Sequence, residues 1–423
     1  MAEDPAPLLE IPELSRKTYL TIHSFQALNA MSYTIALGSP LTLFARELGA
    51  TASILGLIAA FTPLLAMLQL LVAPYAAKVG YRPVVMRGWS GRVATLILLC
   101  ALPWVAPLVS RELSVAAIVL SLFLFNLIRG YAAGSWLPWT AALIPRGSRA
   151  RFLTRDRTFT AAAGVAALGI SGTILSGERT AIGYSAMFAL SFLAGAASLY
   201  FLNRIPPAPS VAGPAGETVR AVVPWRSILT NRGFMIYAAF GFGIQLVTAA
   251  ANTFVIVFVR EEVGLPDGFI IQIAAIAQGV SMLALWYGRR RIELRGSKRY
   301  IGFGLAWLVF YFAMWFAMAG RLVPSMLIVA PILMALHGLG FGLLDLAGTR
   351  MLMNMGGDRH GSSQFFAVYQ TGANLATGFS PILWGIALDA MRGGSLNRYF
   401  VFFGAEIALV IVMGLVLTRV RER

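Results

Sequence analysis

The chain has 423 residues, of which 58% are hydrophobic and only 12% are charged, and its formal net charge is +16. Soluble domains carry about 25% charged residues, so this composition excludes an ordinary soluble protein. The basic residues lie between long apolar stretches, where membrane orientation explains them better than nucleic-acid binding does. We therefore expect an integral membrane protein that contacts membrane lipids and binds no nucleic acid.

Cysteine and histidine are scarce in the sequence. Cys100 is the single cysteine, and there are three histidines. Such a chain cannot assemble a Cys/His cluster for zinc, haem or an iron–sulfur centre, so we predict no metal and no cofactor. The lack of a catalytic cluster also argues against an enzyme. Residues 1–13 lack the basic region of a cleavable signal peptide, so we expect the first apolar stretch to stay in the mature protein.

Twelve apolar stretches of roughly 20–28 residues follow one another, and each is long enough to cross a hydrocarbon core of about 30 Å as a helix. We therefore predict an all-α polytopic membrane protein with twelve transmembrane helices. The predicted spans one to twelve cover residues 19–45, 52–77, 83–109, 114–142, 156–177, 181–203, 233–259, 268–288, 300–319, 323–349, 362–389 and 398–418.

The arginines and lysines alternate between the two sides of these spans. Of the 34 basic residues, 26 fall in one set of gaps and ends, seven fall in the other set, and Arg129 lies within span four. The larger set includes Arg92, near the start of span three. Because cytoplasmic loops carry the excess of positive charge, both termini are predicted to be cytoplasmic. We expect the membrane to be the bacterial cytoplasmic (inner) membrane.

One gap is much longer than the others and is rich in proline, glycine and alanine, which is typical of a linker. It separates two sets of six spans. The predicted organisation is a cytoplasmic N-terminal segment, a six-helix bundle, a cytoplasmic linker, a second six-helix bundle and a tail, at residues 1–18, 19–203, 204–232, 233–418 and 419–423.

A short repeat supports the division into halves. Residues 44–47 at the end of span one read FARE, and residues 258–261 at the end of span seven read FVRE. A glycine among basic residues also follows spans two and eight, at Gly80 and Gly296. These matches indicate two parallel six-helix repeats.

This arrangement, from about residue 18 to 418, resembles the major facilitator superfamily of secondary transporters. The family's loop after span two reads G-x-L-A-D-R-x-G-R-K, and the chain matches it at Gly80 and Arg82 but has Ala77 at the acidic position. In the second half, Glu293 fills that position beside Gly296. The resemblance implies two pseudo-symmetric bundles, alternating access around a central cavity, and gating roles for Gly80, Arg82, Glu293 and Gly296.

Three charged residues are predicted to lie well inside spans, where a charge costs about 2.5–3.5 kcal/mol. Arg129 either binds an anionic substrate or controls the proton affinity of a carboxylate, and the family links an arginine in span four to proton coupling. Its alternative role is helix packing through carbonyl groups. Asp345 is the candidate for proton coupling, and its alternative is a structural carboxylate that pairs with Arg350. Glu406 is predicted to be structural.

Polar side chains form stripes on spans one and seven, and such stripes must face away from lipid. We interpret them as lining a cavity rather than another helix. Tyr131, close to Arg129, and His337 of span ten are further candidates, whereas Trp139 is assigned to the interfacial aromatic belt. The predicted substrate-binding residues are Arg129, Gln26, Asn29, Tyr33, Tyr131, Gln245, Thr248, Asn252 and His337.

The gap at residues 145–157 contains five arginines and Asp156. Attraction to anionic lipids accounts for these charges, and the alternative is a cytoplasmic gate in which Asp156 and Asp358 pair with nearby arginines.

These patterns predict a secondary active transporter, a symporter or antiporter, that moves a small organic solute by alternating access with proton coupling. The lone central arginine favours an anionic or zwitterionic substrate, and we expect a monomer. Two alternatives remain open. One is an uncoupled facilitator, and the other is a membrane assembly factor of the same fold that transports nothing.

Overall fold

In the computed structural model, the described residues are 15–145, 148–177, 181–207, 230–324, 326–356, 362–394 and 396–420. Throughout these ranges the chain is helical and forms no β-strand, and the helices group into twelve spans, which confirms the predicted fold class. Ten of these spans are long and apolar enough to cross a membrane. Spans one and eleven fall short because polar side chains such as Gln26 and Asn374 lower their hydropathy.

Spans one, two and four each consist of two consecutive helices. The first break falls at Gly38, just before Pro40, and Thr51 and Ser110 cap the starts of spans two and four with their hydroxyl groups. Spans one to six have the bounds Arg16–Leu37 with Ser39–Glu47, Ala52–Ala66 with Leu68–Val79, Tyr81–Val105, Arg111–Ala133 with Trp136–Leu143, Arg149–Gly177, and Ala181–Asn203.

The second half repeats this pattern, with a short π-helical turn at the end of span seven. Spans seven to twelve have the bounds Arg232–Phe258 with Val259–Val263, Asp267–Arg295, Ser297–Ala319, Met326–Gly356, Ser362–Ala390, and Arg398–Thr418. Spans five and eight extend beyond the predicted limits. Most of the gap predicted at residues 145–157 is therefore helical, and Asp156 lies within span five rather than in a loop.

The spans run alternately between two ends of the bundle. We call the end that carries Ser15 and Val420 the terminal face, and the end at which spans one and seven finish the distal face. Lys298, at the start of span nine, donates to the carbonyl oxygen of Val420 at 2.6 Å. Arg82, at the start of span three, donates to the carbonyl oxygen of Asn203 at 2.8 Å. Equivalent residues thus tie equivalent spans together in each half.

The two halves share one internal arrangement. In the first half, span one contacts spans five and six, span four contacts spans two and three, and span three contacts span six. In the second half the counterparts six spans later make the same five contacts. Gly80 and Gly296 turn the chain at equivalent places with φ of +95° and +84°, where glycine is strongly favoured. The repeat inferred from the sequence is therefore a structural repeat.

The halves meet along two seams, span two against span eleven and span five against span eight. At Gly56 an added Cβ would lie 2.0 Å from the carbonyl oxygen of Pro381, and at Gly172 it would lie 2.9 Å from that of Gly268. Only glycine permits so close an approach of two backbones. Both contacts lie in the part of the spans nearest the distal face.

Trp139 does not lie in an interfacial belt, so that prediction was wrong. Its side chain is fully buried, and its indole nitrogen donates to the carbonyl oxygen of Pro206 at 3.1 Å. The indole anchors the chain that leaves span six.

Candidate functional site

The repeated segments 44–47 and 258–261 meet at the distal face and exchange ion pairs. Arg46 of the first half pairs with Glu261 of the second, and Arg260 of the second half pairs with Glu47 of the first. The sequence identified these residues as a repeat but gave them no role. The geometry shows that each copy supplies the partner of the other, so the repeat joins the two halves.

Glu261 is the centre of the more buried part of this network. Its carboxylate also accepts hydrogen bonds from Arg398 at 2.7 Å and from the Tyr399 hydroxyl at 3.0 Å. The side chains of Glu261 and Arg46 are both 19% exposed, whereas that of Glu47 is 55% exposed. The reciprocal pairs are therefore equivalent in position but unequal in burial.

Arg260 connects the network to span eight. Its Nε lies 3.0 Å from one carboxylate oxygen of Asp267, and the other oxygen accepts a hydrogen bond from the Tyr184 hydroxyl at 2.8 Å. Asp267 is buried, and a buried carboxylate needs compensation of its charge. Arg260 and Tyr184 provide that compensation. Side chains of spans one, six, seven, eight and twelve thus converge at the distal face.

A carboxylate of span eleven caps the start of span two across the same face. Asp389 accepts from the backbone N–H groups of Ala52 at 3.1 Å and Ser53 at 2.7 Å, and from the Ser53 hydroxyl at 2.6 Å. A negative charge at a helix N-terminus is favoured by the free N–H groups and the helix dipole. This cap therefore stabilises the contact between the halves as well as the helix.

The terminal face is arranged differently. Arg157 of span five and Asp345 of span ten are close enough to interact electrostatically, but they form no ion pair with any residue of the described part. Both side chains are exposed. Asp345 also interacts electrostatically with Tyr237 and Tyr369, whose rings stack at 5.7 Å. Asp345 therefore faces groups from both halves, near the terminal face.

Arg92 corrects the sequence analysis. It was counted among the basic residues of the gaps, but it lies well inside span three and is only 2% exposed. It donates to the side-chain oxygen of Asn29, which also accepts from the Trp89 indole at 3.0 Å. The position of Arg92 within the predicted span 83–109 was the signal available in the sequence.

Arg129 lies beside the same group of residues. Its guanidinium carbon is 5.1 Å from the ring centroid of Tyr33, which is one turn beyond Asn29 on span one. The structure thus brings together three predicted substrate-binding residues and adds Arg92 to them.

Asp156 and Gln26 form a second cluster nearer the terminal face. Asp156 lies 3.2 Å from His23 Nδ1 and accepts from the Gln26 amide at 3.0 Å. The His23 ring stacks with Phe152 and Phe159 at centroid distances of 5.0 and 5.3 Å. All of these residues belong to the first half, so Asp156 ties spans one and five together. Its gating role stays a prediction.

The remaining predicted substrate-binding residues are more scattered. The Thr248 hydroxyl donates to the Gln245 side-chain oxygen at 3.1 Å, and Asn252 is exposed on the same span. His337 stacks on Phe341 at 3.9 Å within the second half. The ring of Tyr131 lies 6.4 Å from that of Tyr75, between spans two and four. These contacts do not test the predicted roles.

Of the predicted gating residues from the family loop, Arg82 contacts its own half. Arg82 binds the end of span six, and Gly80 and Gly296 form the turns described above. The side chain of Glu293 and the whole of Asp358 lie outside the described residues. The gating roles of this set stay predictions.

Comparison with known proteins places these features in a family. The model of the Major Facilitator Superfamily matches residues 22–334. Solved structures with a similar fold include a D-xylose–proton symporter, with a TM-score of 0.76 and 13% identity over 96% of this chain and 99% of that chain. A mutant of the nucleoside transporter NupG gives a TM-score of 0.74 and 14% identity over 95% and 99% of the two chains.

The xylose transporter XylE from E. coli, in an inward open conformation, gives a TM-score of 0.66 and 14% identity over 93% of this chain and 94% of that chain. No curated protein sequence matches the chain. At such identities the likeness to solved structures shows the fold alone. The family model, however, covers most of the chain, and the chain therefore belongs to the Major Facilitator Superfamily.

Proposed function

We propose that this protein is a secondary active transporter that moves a small organic solute by alternating access, coupled to protons. The observation that carries the proposal is the difference between the two faces. The halves are joined at the distal face by ion pairs and close backbone contacts, while Arg157 and Asp345 stay exposed and unpaired with each other at the terminal face. An alternating-access carrier requires contacts that form at one face when they break at the other.

The proposed orientation follows the distribution of arginine and lysine. The terminal face carries most of the basic residues and is assigned to the cytoplasm of a bacterial inner membrane, with both termini inside. In that orientation, the arrangement of the halves corresponds to an inward-facing carrier with its outer face closed. Residues 204–232 serve as the linker between bundles 19–203 and 233–418.

Asp345 is the proposed proton-coupling residue because its charge state acts on a contact between the halves. Ionised Asp345 attracts Arg157 and favours closure of the terminal face, whereas the neutral acid removes that attraction. Proton binding from one side would thereby bias the equilibrium between the two conformations.

The first experiment identifies a ligand and then measures its movement. Purified protein is screened against metabolites by thermal shift at about pH 5.5 and about pH 8, because a ligand that binds the folded state raises its stability. Each ligand found is then tested for uptake into proteoliposomes with and without a pH gradient. We expect accumulation of at least one ligand against its gradient when the pH gradient is present.

The Asp345→Asn variant tests the coupling. It should lose uphill uptake while keeping exchange of labelled for unlabelled solute, and Glu112→Gln, a fully exposed carboxylate on span four, is the matched control. Unchanged uphill uptake in Asp345→Asn would overturn proton coupling through this residue. Flux that never responds to the pH gradient would indicate an uncoupled facilitator. Ligand binding without any flux would favour the assembly-factor alternative.

A further inference from the structure

Two arginines of the first half, Arg92 and Arg129, carry positive charges that no nearby described residue neutralises. At about 1.5 Å per residue, Arg92 lies about 16 Å along span three from Tyr81, near the middle of the helix Tyr81–Val105. Its guanidinium carbon is 5.4 Å from the ring centroids of both Trp89 and Phe125. Its Nε is buried and has no hydrogen-bond partner among the described residues.

Arg129 approaches Arg92 because spans three and four pack closely at this level. An added Cβ at Gly91 would lie 3.2 Å from the Ile128 side chain, and these two residues are the immediate neighbours of Arg92 and Arg129. The two guanidinium groups are close enough to repel each other, and Arg92 also interacts electrostatically with Tyr33. Both cations are thus held around one segment of span one.

The acidic residues that the structure describes in the first half all lie away from this pair. Among its described residues, Glu47 and Glu112 are near the distal face, and Asp156 binds His23 and Gln26. A guanidinium cannot lose its charge by deprotonation. Two uncompensated cations inside membrane-spanning helices carry a large desolvation cost, which an anion at this position would offset.

Arg92 is buried, but its partner Arg129 is accessible. Arg129 and Tyr33 are only half-buried, and an arginine exposed to lipid would be strongly disfavoured, so this surface faces the space between the halves. Guanidinium groups bind carboxylate and phosphate oxygens through paired N–H donors. We propose that Arg92 and Arg129 together bind one oxyanion group, a carboxylate or a phosphate, of the transported solute. This assignment deepens the proposed function and rests on it.

The test uses simple anions as probes on the full-length protein in neutral detergent. The melting temperature is measured in sodium benzoate and in sodium phosphate, against sodium chloride at the same ionic strength. We expect one or both oxyanions to raise the melting temperature relative to chloride, and the more effective probe identifies the carboxylate or the phosphate. Equal melting temperatures in all three salts would overturn the proposal.

Variants distinguish a binding site from a structural contact. Arg129→Gln and Arg92→Gln should each raise, about tenfold or more, the oxyanion concentration needed for a given rise in melting temperature. Arg129→Lys should keep part of the oxyanion effect. Arg87→Gln removes an exposed arginine of span three and should leave the oxyanion effect unchanged.

In the absence of oxyanion, Arg92→Gln should melt at the same or a higher temperature than the wild type, because an uncompensated charge is removed. A marked loss of ligand-free stability would show that Arg92 is a structural residue and would overturn its assignment.

The outcomes separate this inference from transport itself. Uptake of neutral solutes that is unaffected by Arg129→Gln would overturn the oxyanion site and leave the transporter intact. Oxyanion binding through both arginines without flux of any anion would overturn transport and leave the site intact.

A further arm of the melting experiment adds phosphatidylglycerol to the micelles. If that lipid stabilises the protein through Arg92 and Arg129 while the soluble anions do not, the site binds lipid headgroups and the proposal fails.

Discussion

The distal and terminal faces differ in how their charges are used. At the distal face, Arg46 and Glu261 are mostly buried and belong to a network that joins both halves. At the terminal face, Arg157 and Asp345 are exposed and form no ion pair with the described residues. The two halves are related by pseudo-symmetry, but the two ends of the bundle differ. Under the proposed alternating access, the distal contacts are those that must break when the conformation changes.

The difference between the faces can be tested by distances between labels on the two halves. Leu108 and Leu322 lie near the distal face in the first and second halves and are 82% and 72% exposed, so spin labels there should perturb little. The labels are attached through Leu108→Cys and Leu322→Cys in a Cys100→Ala background. We call these two positions the distal label pair. A longer distance reports an open distal face.

The largest effect is expected from Gly172→Leu. A Cβ at this position would lie 2.6 Å from the Gln272 side chain and 2.9 Å from the Gly268 carbonyl oxygen, so the seam between spans five and eight cannot close around leucine. Overpacking against backbone should cost more than about 3 kcal/mol and shift nearly all molecules to the longer distance of the distal label pair. Gly169→Leu is the matched control, because a Cβ there meets nothing within 4 Å. A short distance in both variants would refute the steric argument.

The second effect is expected from Glu261→Gln. This substitution leaves Arg46 and Arg398 without their shared counter-charge in a mostly buried site, at a cost of about 2–3 kcal/mol to the closed distal face. That cost corresponds to a population shift of roughly 30–150-fold, visible as a longer component in the distal label pair. Glu262→Gln, at the exposed neighbouring position, should leave the distribution unchanged. Identical behaviour of the two variants would show that the network does not hold the face closed.

Asp389→Asn should have an intermediate effect. Asparagine keeps one acceptor oxygen for span two but loses the charge that the two N–H groups and the Ser53 hydroxyl now share. Loss of a charged cap costs about 1–2 kcal/mol, so we expect a smaller long-distance component than in Glu261→Gln. Arg392→Gln is a suitable control because it removes the partly exposed partner of Asp389, at 3.4 Å, and leaves the cap in place. A shift as large as that of Glu261→Gln would show that the cap matters more than its burial indicates.

Much of the fold was predictable because it depends on length and periodicity. Twelve apolar stretches, the long gap after span six and the FARE and FVRE segments fixed the number of spans and their division into halves. The exact ends of spans five and eight were not predictable. Helices there continue beyond the apolar stretches through arginine-rich sequence, which is compatible with a helix as well as with a loop.

The candidate site was less predictable because it depends on which helices meet. The stripe with Asn29 and Tyr33 was readable from helical spacing, but their partners were not, since Arg92 comes from span three and Arg129 from span four. Asp156 illustrates the same limit. The sequence suggested a gating role for Asp156 as one alternative. Its contact with His23 is seen only once spans one and five are packed together.

The smallest effect is expected from Glu47→Gln, although Glu47 is the repeat counterpart of Glu261. Its side chain is 55% exposed, and exposed ion pairs contribute about 0–1 kcal/mol because water and salt screen them. Arg260 also keeps Asp267 as a buried partner after this substitution. The distal label pair should therefore lengthen in only a small fraction of molecules, and less so at high salt. If Glu47→Gln opened the distal face as strongly as Glu261→Gln, position in the repeat rather than burial would determine the strength of each pair.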